Sequence, residues 1–142
     1  MSILRKATPV LIVDRIEPVL PFWQKLGLKA VAEVPDQTAK DGRLAFAILA
    51  GEGVQLMYQT LASVTDDLVK AASVKEAFRP GTQQTTLYVE VDRLADIEAK
   101  LGNEGLVMPK RKTFYGATEI GYADPAGNIV VFAEHHAEPA GA

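Results

Sequence analysis

The 142-residue chain contains no cysteine. Disulfide scaffolds, thiolate zinc sites and cysteine nucleophiles are therefore excluded. The chain also lacks an apolar run of the ~20 residues that a membrane-spanning helix needs. The apolar stretch Val10–Val13 is too short for the core of a secretory signal peptide. These absences predict a cytoplasmic protein with no membrane partner.

The chain also lacks a large net charge of either sign, since its formal net charge is -3. Nucleic-acid binding needs a basic surface that displaces counterions from the phosphates, so we expect no nucleic-acid partner. Three consecutive basic residues, Lys110-Arg111-Lys112, form the basic cluster of the sequence. We expect this cluster to lie on a solvated loop, and binding of an anionic ligand is the alternative.

The first half of the chain combines several apolar, β-branched segments with one helical pattern. Thr8–Val13 is typical of a buried strand, and Glu17–Leu26 has apolar residues at helical spacing before a glycine that can end the helix. Three further strands are predicted, the last two joined by a glycine-containing turn: Leu28–Val34, Leu44–Ala50 and Val54–Tyr58. The first half therefore predicts the order β-α-β-β-β.

The same order of elements returns in the second half. Thr85–Val91 predicts a strand and Leu94–Leu101 predicts an amphipathic helix. Three strands follow: one that begins at Leu106, then Thr118–Ala123 and Ile129–Glu134. The sequence thus predicts one α+β domain built from two βαβββ modules. Module 1 spans about residues 7–60, a helical connector about 61–81, and module 2 about 84–136.

The segment Asp124–Asn128 is a dense turn signal, because its proline presets φ and its glycine supplies a positive φ. The turn, followed at once by an apolar strand, resembles the end of a module of the glyoxalase/bleomycin-resistance/dioxygenase (vicinal oxygen chelate) superfamily. Trp23–Leu28 resembles the end of the first helix of that family. The resemblance covers about the whole chain and is closest in character to bleomycin-resistance proteins. It implies a curved mixed sheet with a concave cavity.

The resemblance also implies four positions at which metal-using members of the family carry His or Glu ligands. These positions fall near Ala7 and at Gln55, Thr86 and Val131. Alanine and valine side chains cannot bind a metal, and the neutral oxygens of glutamine and threonine are weak donors for a divalent ion. We therefore expect a metal-free protein that uses no cofactor.

Candidate ligand-binding residues follow from strand parity and from the resemblance. Side chains two residues apart on a strand share a face, so Thr86, Tyr88 and Glu90 are expected to face a cavity together. An outward-facing charge is the alternative for Glu90. Tyr115, before a glycine, resembles an aromatic platform near the bleomycin-resistance ligand cleft, and a rim residue that covers the core is the alternative. The complete candidate set is Gln55, Met57, Thr86, Tyr88, Glu90, Tyr115 and Glu119.

Other polar and aromatic residues are expected to be structural. Trp23 is predicted to pack in the core rather than to line a ligand site. His135 and His136 are adjacent, so on a strand they point to opposite faces, and we expect a solvated pair near the chain end. No nucleophile with a neighbouring base is recognisable in the sequence. The catalytic residues, if any, stay unknown.

The function predicted from these observations is metal-free binding of a small molecule, with sequestration of an antibiotic as one form of it. The alternative is a lyase, isomerase or dioxygenase with an atypical site, in which Tyr88, Glu90, Tyr115 and Glu119 would be the acid-base candidates. An accessory protein of a biosynthetic or catabolic operon is a third hypothesis. We expect a homodimer, and whether the modules pair within one chain or exchange between chains stays open.

Overall fold

The computed structural model describes residues 3, 6–67 and 85–136. The chain divides between residues 83 and 84 into two units, and each unit is described by itself. Among the described residues, no helix has the length and apolar character needed to cross a membrane.

The first unit contains one four-stranded sheet in the order β1-β4-β3-β2. β1 runs parallel to β4, and the other neighbours are antiparallel. A single 3-10 turn at Glu17–Val19 leads into the first helix. The elements are β1 (Val10–Val13), α1 (Leu20–Lys25), β2 (Lys29–Pro35), β3 (Leu44–Gly51), β4 (Val54–Thr60) and α2 (Leu61–Asp67).

The core of the first unit lies on one face of this sheet. Leu56, Tyr58 and Thr60 alternate along β4 and are buried, as period-two patterning requires. Trp23 of α1 is buried, and its indole N–H donates a hydrogen bond of 2.9 Å to the Tyr58 hydroxyl. The prediction that Trp23 packs in the core is therefore confirmed. Gly27 has a φ of 100° just after α1, the conformation that favours glycine at a helix end.

The second unit repeats the arrangement, with a four-stranded sheet in the order β5-β8-β7-β6. β5 runs parallel to β8, and the remaining pairs are antiparallel. The elements are β5 (Thr86–Glu90), α3 (Leu94–Leu101), β6 (Leu106–Lys112), β7 (Ala117–Ala123) and β8 (Ile129–His135). Both predicted βαβββ modules are present, and the predicted α+β fold class is confirmed.

The turn Asp124–Asn128 is held by its own polar groups. The Asp124 Oδ1 atom accepts hydrogen bonds of 2.9 Å from the backbone N–H groups of Ala126 and Asn128. Gly127 has a φ of 93°, which L-residues with a side chain rarely adopt. The Asn128 side chain in turn accepts a bond of 3.4 Å from the backbone N–H of Thr85. The turn therefore fixes the start of β8 beside the start of β5.

One segment predicted to be a loop is a strand, and the predicted helical connector is described only in part. The loop predicted for Lys110-Arg111-Lys112 is wrong, because these residues form the end of β6, where Arg111 and Lys112 pair with β7. β6 is an edge strand, and its exposed basic residues interrupt the alternation of apolar and polar side chains by which strands are recognised in a sequence. The predicted helical connector is described only over α2, and its remainder lies outside the described residues.

Candidate ligand-binding site

A buried carboxylate lies on one face of the sheet of the second unit. The other face carries the buried residues Ile120, Tyr122, Val130 and Phe132. Glu119 of β7 is 1% exposed and accepts three hydrogen bonds. The donors are the Tyr88 hydroxyl at 2.8 Å, an Arg111 guanidinium nitrogen at 3.2 Å and, through a short bond, the Tyr115 hydroxyl. We call Glu119, its three partners Tyr88, Tyr115 and Arg111, and His135, which contacts Tyr88, the Glu119 cluster.

Strand register brings these residues together. Arg111 of β6 is the direct cross-strand partner of Glu119, and Ala133 of β8 is its partner on the other side. Tyr88 reaches Glu119 from β5 across β8, and the small side chain of Ala133 leaves room for that crossing. Tyr115 lies four residues before Glu119, in the turn that joins β6 to β7.

His135 extends the cluster toward the end of the sheet. Its Nε2 atom lies 3.1 Å from the Tyr88 hydroxyl oxygen and 3.5 Å from a carboxylate oxygen of Glu90. The imidazole also packs edge-on against the Tyr88 ring, with 5.9 Å between the ring centres. His135 is exposed, as expected, but it also has partners, because the period-two alternation of β8 turns it toward Tyr88.

The protonation states of the cluster follow from its geometry. Burial raises the pKa of Glu119, but the hydrogen bonds from Tyr115, Tyr88 and Arg111 outweigh it and leave the pKa below the ordinary value. Burial and the bond to Glu119 raise the pKa of Tyr88. The bond to Glu119 and burial raise the pKa of Tyr115. At neutral pH the cluster thus holds an ionised carboxylate between two protonated phenols.

The lowered pKa of Glu119 predicts a pH dependence of stability. A carboxylate with a depressed pKa in the folded state contributes stability above its unfolded pKa, and this contribution is lost as the pH falls through the folded pKa. We therefore expect the free energy of unfolding to fall on acidification below the ordinary glutamate value of 4.5. Urea unfolding between about pH 6 and pH 3 measures it. Glu119→Gln should lose less stability than wild type over this range, and equal losses would contradict the assignment.

The structure brings only part of the predicted site together. Tyr88, Tyr115 and Glu119 meet directly, and Glu90 joins through His135 while remaining largely exposed. Thr86 lies on the same exposed face of β5, but among the described residues its side chain makes no hydrogen bond to the cluster. The outward-facing alternative for Glu90 is thus the better description of its solvent exposure.

The remaining candidates, Gln55 and Met57, lie in the first unit on the half-exposed face of β4. The Gln55 side-chain oxygen accepts a hydrogen bond of 2.8 Å from the Lys6 ammonium. In the second unit, Val131 of β8 is the register partner of Tyr88. Within residues 3, 6–67 and 85–136, no group of three or more His, Asp or Glu side chains is placed to hold a metal ion.

Aromatic and polar surface surrounds the cluster. Phe114 is 98% exposed and packs edge-on against Tyr115, with ring centres 5.0 Å apart. Tyr88 and Tyr115 are themselves 49% and 44% exposed, although both hydroxyls point to Glu119. An open depression of about 370 Å³ adjoins Glu90 and His135. The cluster therefore exposes aromatic surface to solvent, and hydrogen bonds to Glu119 hold that surface in place.

Arg111 and His135 are the members of the cluster that the sequence interpretation missed. The sequence predicts a loop at Arg111, and a residue on a loop has no strand register from which its contact with Glu119 could be inferred. The usable signal for His135 is its spacing of two residues from the β8 position that pairs with Glu119.

Known proteins resemble this chain in their fold. A scan against protein-family models finds no match, and a search of curated proteins finds none. Solved structures match over nearly the full length. A bleomycin-binding protein complexed with bleomycin is 15% identical with a TM-score of 0.61, and the match covers 94% of this chain and 100% of that chain.

Two further structures give the same picture. A glyoxalase/bleomycin resistance protein/dioxygenase from Nocardioides is 17% identical with a TM-score of 0.65, covering 97% of this chain and 89% of that chain. A protein from the mobile metagenome of V. Pseudocholerae is 23% identical with a TM-score of 0.62, covering 96% and 98%. The chain therefore has the vicinal oxygen chelate fold, and the predicted resemblance is confirmed for the fold.

Proposed function

We propose that this chain binds a small organic molecule on the Glu119 cluster and sequesters it without chemically changing it. The observation that carries the proposal is the buried, ionised Glu119 that fixes two half-exposed phenol rings. Binding sites typically combine apolar or aromatic surface with a few fixed polar groups.

The pKa directions favour binding over acid-base catalysis at this cluster. A general acid or base works best with a pKa near the operating pH. Here the pKa values move away from neutrality, since that of Glu119 is lowered and those of Tyr88 and Tyr115 are raised. The lyase, isomerase or dioxygenase alternative would therefore need other groups than these as its acid and base.

The cluster also suggests the character of the ligand. A phenol ring whose hydroxyl donates to a carboxylate presents an electron-rich face, and such faces attract cationic groups. The exposed carboxylate of Glu90 adds negative charge beside Tyr88. Rings held in place by hydrogen bonds lose little rotational freedom on binding, which favours affinity. We infer that the ligand carries a planar cationic group that lies against Tyr115.

An antibiotic is the proposed type of ligand. The complex of the bleomycin-binding protein with bleomycin, which has the same fold, supports this choice and makes metal-free bleomycin the first probe. The homodimer and the cytoplasmic location remain predictions from the sequence.

Binding without a metal is part of the proposal. Gln55 offers a neutral oxygen that is already engaged by the positively charged Lys6, and the Val131 side chain is a hydrocarbon. A cation at Gln55 repels a second cation, so these contacts support a metal-free protein. Elemental analysis of protein purified without a histidine tag tests this part, and stoichiometric iron, manganese, nickel or zinc would contradict it.

A thermal-shift screen of metal-free bleomycin and other cationic antibiotics, followed by calorimetric titration, tests ligand binding. A ligand that binds only the native state raises its stability by mass action. Tyr115→Ala should weaken binding about tenfold or more, which corresponds to about 1.4 kcal/mol. Tyr115→Phe keeps the ring and should lose less.

Glu104→Gln is a suitable surface control, because Glu104 is exposed on a turn of the same unit. Its affinity should match wild type. Equal affinity of Tyr115→Ala and wild type would exclude the Glu119 cluster as the binding site.

A further inference from the structure

A second group of polar residues lies on the other face of β7 and β8. Thr118 and Glu134 are direct cross-strand partners, and His136 follows Glu134 by two residues. Because side chains alternate along a strand, Thr118 and His136 point away from the face that carries Glu119 and His135. The two groups are therefore separate sites within the second unit.

These three residues form a carboxylate-imidazole-hydroxyl sequence. The Glu134 Oε1 atom accepts a hydrogen bond of 2.8 Å from the backbone N–H of Leu94, at the start of α3. Its Oε2 atom lies 3.7 Å from Nδ1 of His136, an ion-pair distance rather than a hydrogen bond. The His136 Nε2 atom lies 2.8 Å from the Thr118 Oγ1 atom. The imidazole thus lies between a fixed carboxylate and a hydroxyl.

The position of His136 is fixed by the backbone as well. Its N–H donates a hydrogen bond of 2.8 Å to the carbonyl oxygen of Gly116. Because Nδ1 is the ring nitrogen that faces the Glu134 carboxylate, we assign the proton of the neutral imidazole to Nδ1, which leaves Nε2 as the acceptor for the Thr118 hydroxyl. This is the tautomer that a general base requires.

An open cavity of about 380 Å³ adjoins the hydroxyl. Its lining residues are Lys112, Thr113, Gly116, Ala117, Thr118 and His136. Thr118 is half-buried, so a small molecule in this cavity can reach its oxygen. The Lys112 ammonium makes no side-chain hydrogen bond or ion pair with any residue in the described parts of the chain, and it can approach an oxyanion formed in the cavity.

We propose that Thr118 is a nucleophile that accepts acyl groups from small activated esters, with His136 as its general base. This activity goes beyond the proposed ligand binding and does not depend on it. A hydroxyl within hydrogen-bond reach of a base that faces a third group is the arrangement that activates nucleophiles.

Thr118 Oγ1 forms a bond to the acyl carbon as its proton passes to His136 Nε2, and the carbonyl oxygen becomes negatively charged beside Lys112. The carbon–oxygen bond to the leaving group then breaks, and the leaving oxygen takes the proton from His136. In the second half, His136 takes a proton from water as the water oxygen bonds to the acyl carbon. The bond from that carbon to Thr118 Oγ1 then breaks and Oγ1 takes the proton back from His136, so that a carboxylic acid leaves and Thr118 is restored. The Glu134 carboxylate stabilises the imidazolium formed in each half.

The test uses p-nitrophenyl acetate, an acid quench and mass spectrometry of the intact chain and of its peptides. Wild type should gain one acetyl group on the peptide containing Thr118. Thr118→Val should abolish this adduct, Thr118→Ser should retain it, and His136→Gln should form it about 100-fold more slowly. Thr8→Val, a half-buried threonine of the first unit, should acetylate like wild type.

Glu134 is a positioning residue in this proposal, because it acts through His136. Glu134→Gln should lower the maximal acetylation rate about tenfold and leave the half-saturating ester concentration unchanged. Acetylation confined to lysines or to the chain terminus would overturn the proposal. So would a Thr118 adduct whose rate is unchanged in His136→Gln, with circular dichroism showing that each variant is folded.

Discussion

Glu119→Gln should lower the free energy of unfolding by about 2–3 kcal/mol, the cost expected when a buried group loses hydrogen bonds to a charge. The ionised carboxylate accepts from Tyr88, Tyr115 and Arg111, and a neutral amide of the same shape offers one acceptor in place of two. Its NH₂ group then faces either the Arg111 guanidinium, which cannot accept a hydrogen bond, or the two phenols, which would have to turn from donors into acceptors. Urea unfolding at pH 7, followed by circular dichroism, measures the loss.

Glu90→Gln is the matched control for this substitution. Glu90 lies on the same face but is largely exposed, so its change should stay within about 0.5 kcal/mol. A loss as small for Glu119→Gln would mean that the carboxylate does not hold the two tyrosines. Glu119→Gln should also weaken binding of the ligand, since the rings of Tyr88 and Tyr115 would lose the hydrogen bonds that fix them.

Asp124→Ala should destabilise the protein by about 2–4 kcal/mol. The substitution leaves the backbone N–H groups of Ala126 and Asn128 without their side-chain acceptor. The unsatisfied donor of Asn128 is buried and costs about 1–3 kcal/mol, whereas that of Ala126 can bond to water and costs about 1 kcal/mol. The damage spreads beyond the turn, because Asn128 also bonds to the backbone of Thr85. Thermal and urea unfolding should show the loss together.

Asp124→Asn separates the hydrogen bonds from the charge. The asparagine oxygen can accept the same two backbone bonds, so the loss should be well below that of alanine. An alanine variant as stable as the asparagine variant would show that the turn does not depend on this side chain.

Much of the fold could be predicted from local patterns. The turn at Asp124–Asn128, the strand that follows it and the helix Leu94–Leu101 were predicted within a residue or two, because each has its own local signal. The shared face of Thr86, Tyr88 and Glu90 followed from strand parity alone. These features depend on residues that are neighbours in sequence.

The composition of the site was harder to predict because it depends on register between strands. Arg111 meets Glu119 only through the pairing of β6 with β7, and β6 has no apolar alternation at that point. The contact between Thr118 and His136 likewise spans two strands and was not recognisable as a nucleophile with a base. Single residues could be proposed from the sequence, but their partners required the sheet.

The most direct test of ligand binding at the Glu119 cluster is an NMR titration. Metal-free bleomycin is added to isotope-labelled protein, and the chemical shifts of each residue are measured at every ligand concentration. Saturable shifts should concentrate at Tyr88, Tyr115 and Glu119 and should weaken in Glu119→Gln. Saturable shifts confined to other residues, or no stabilisation and no shift with any cationic antibiotic in the screen, would contradict the proposed function.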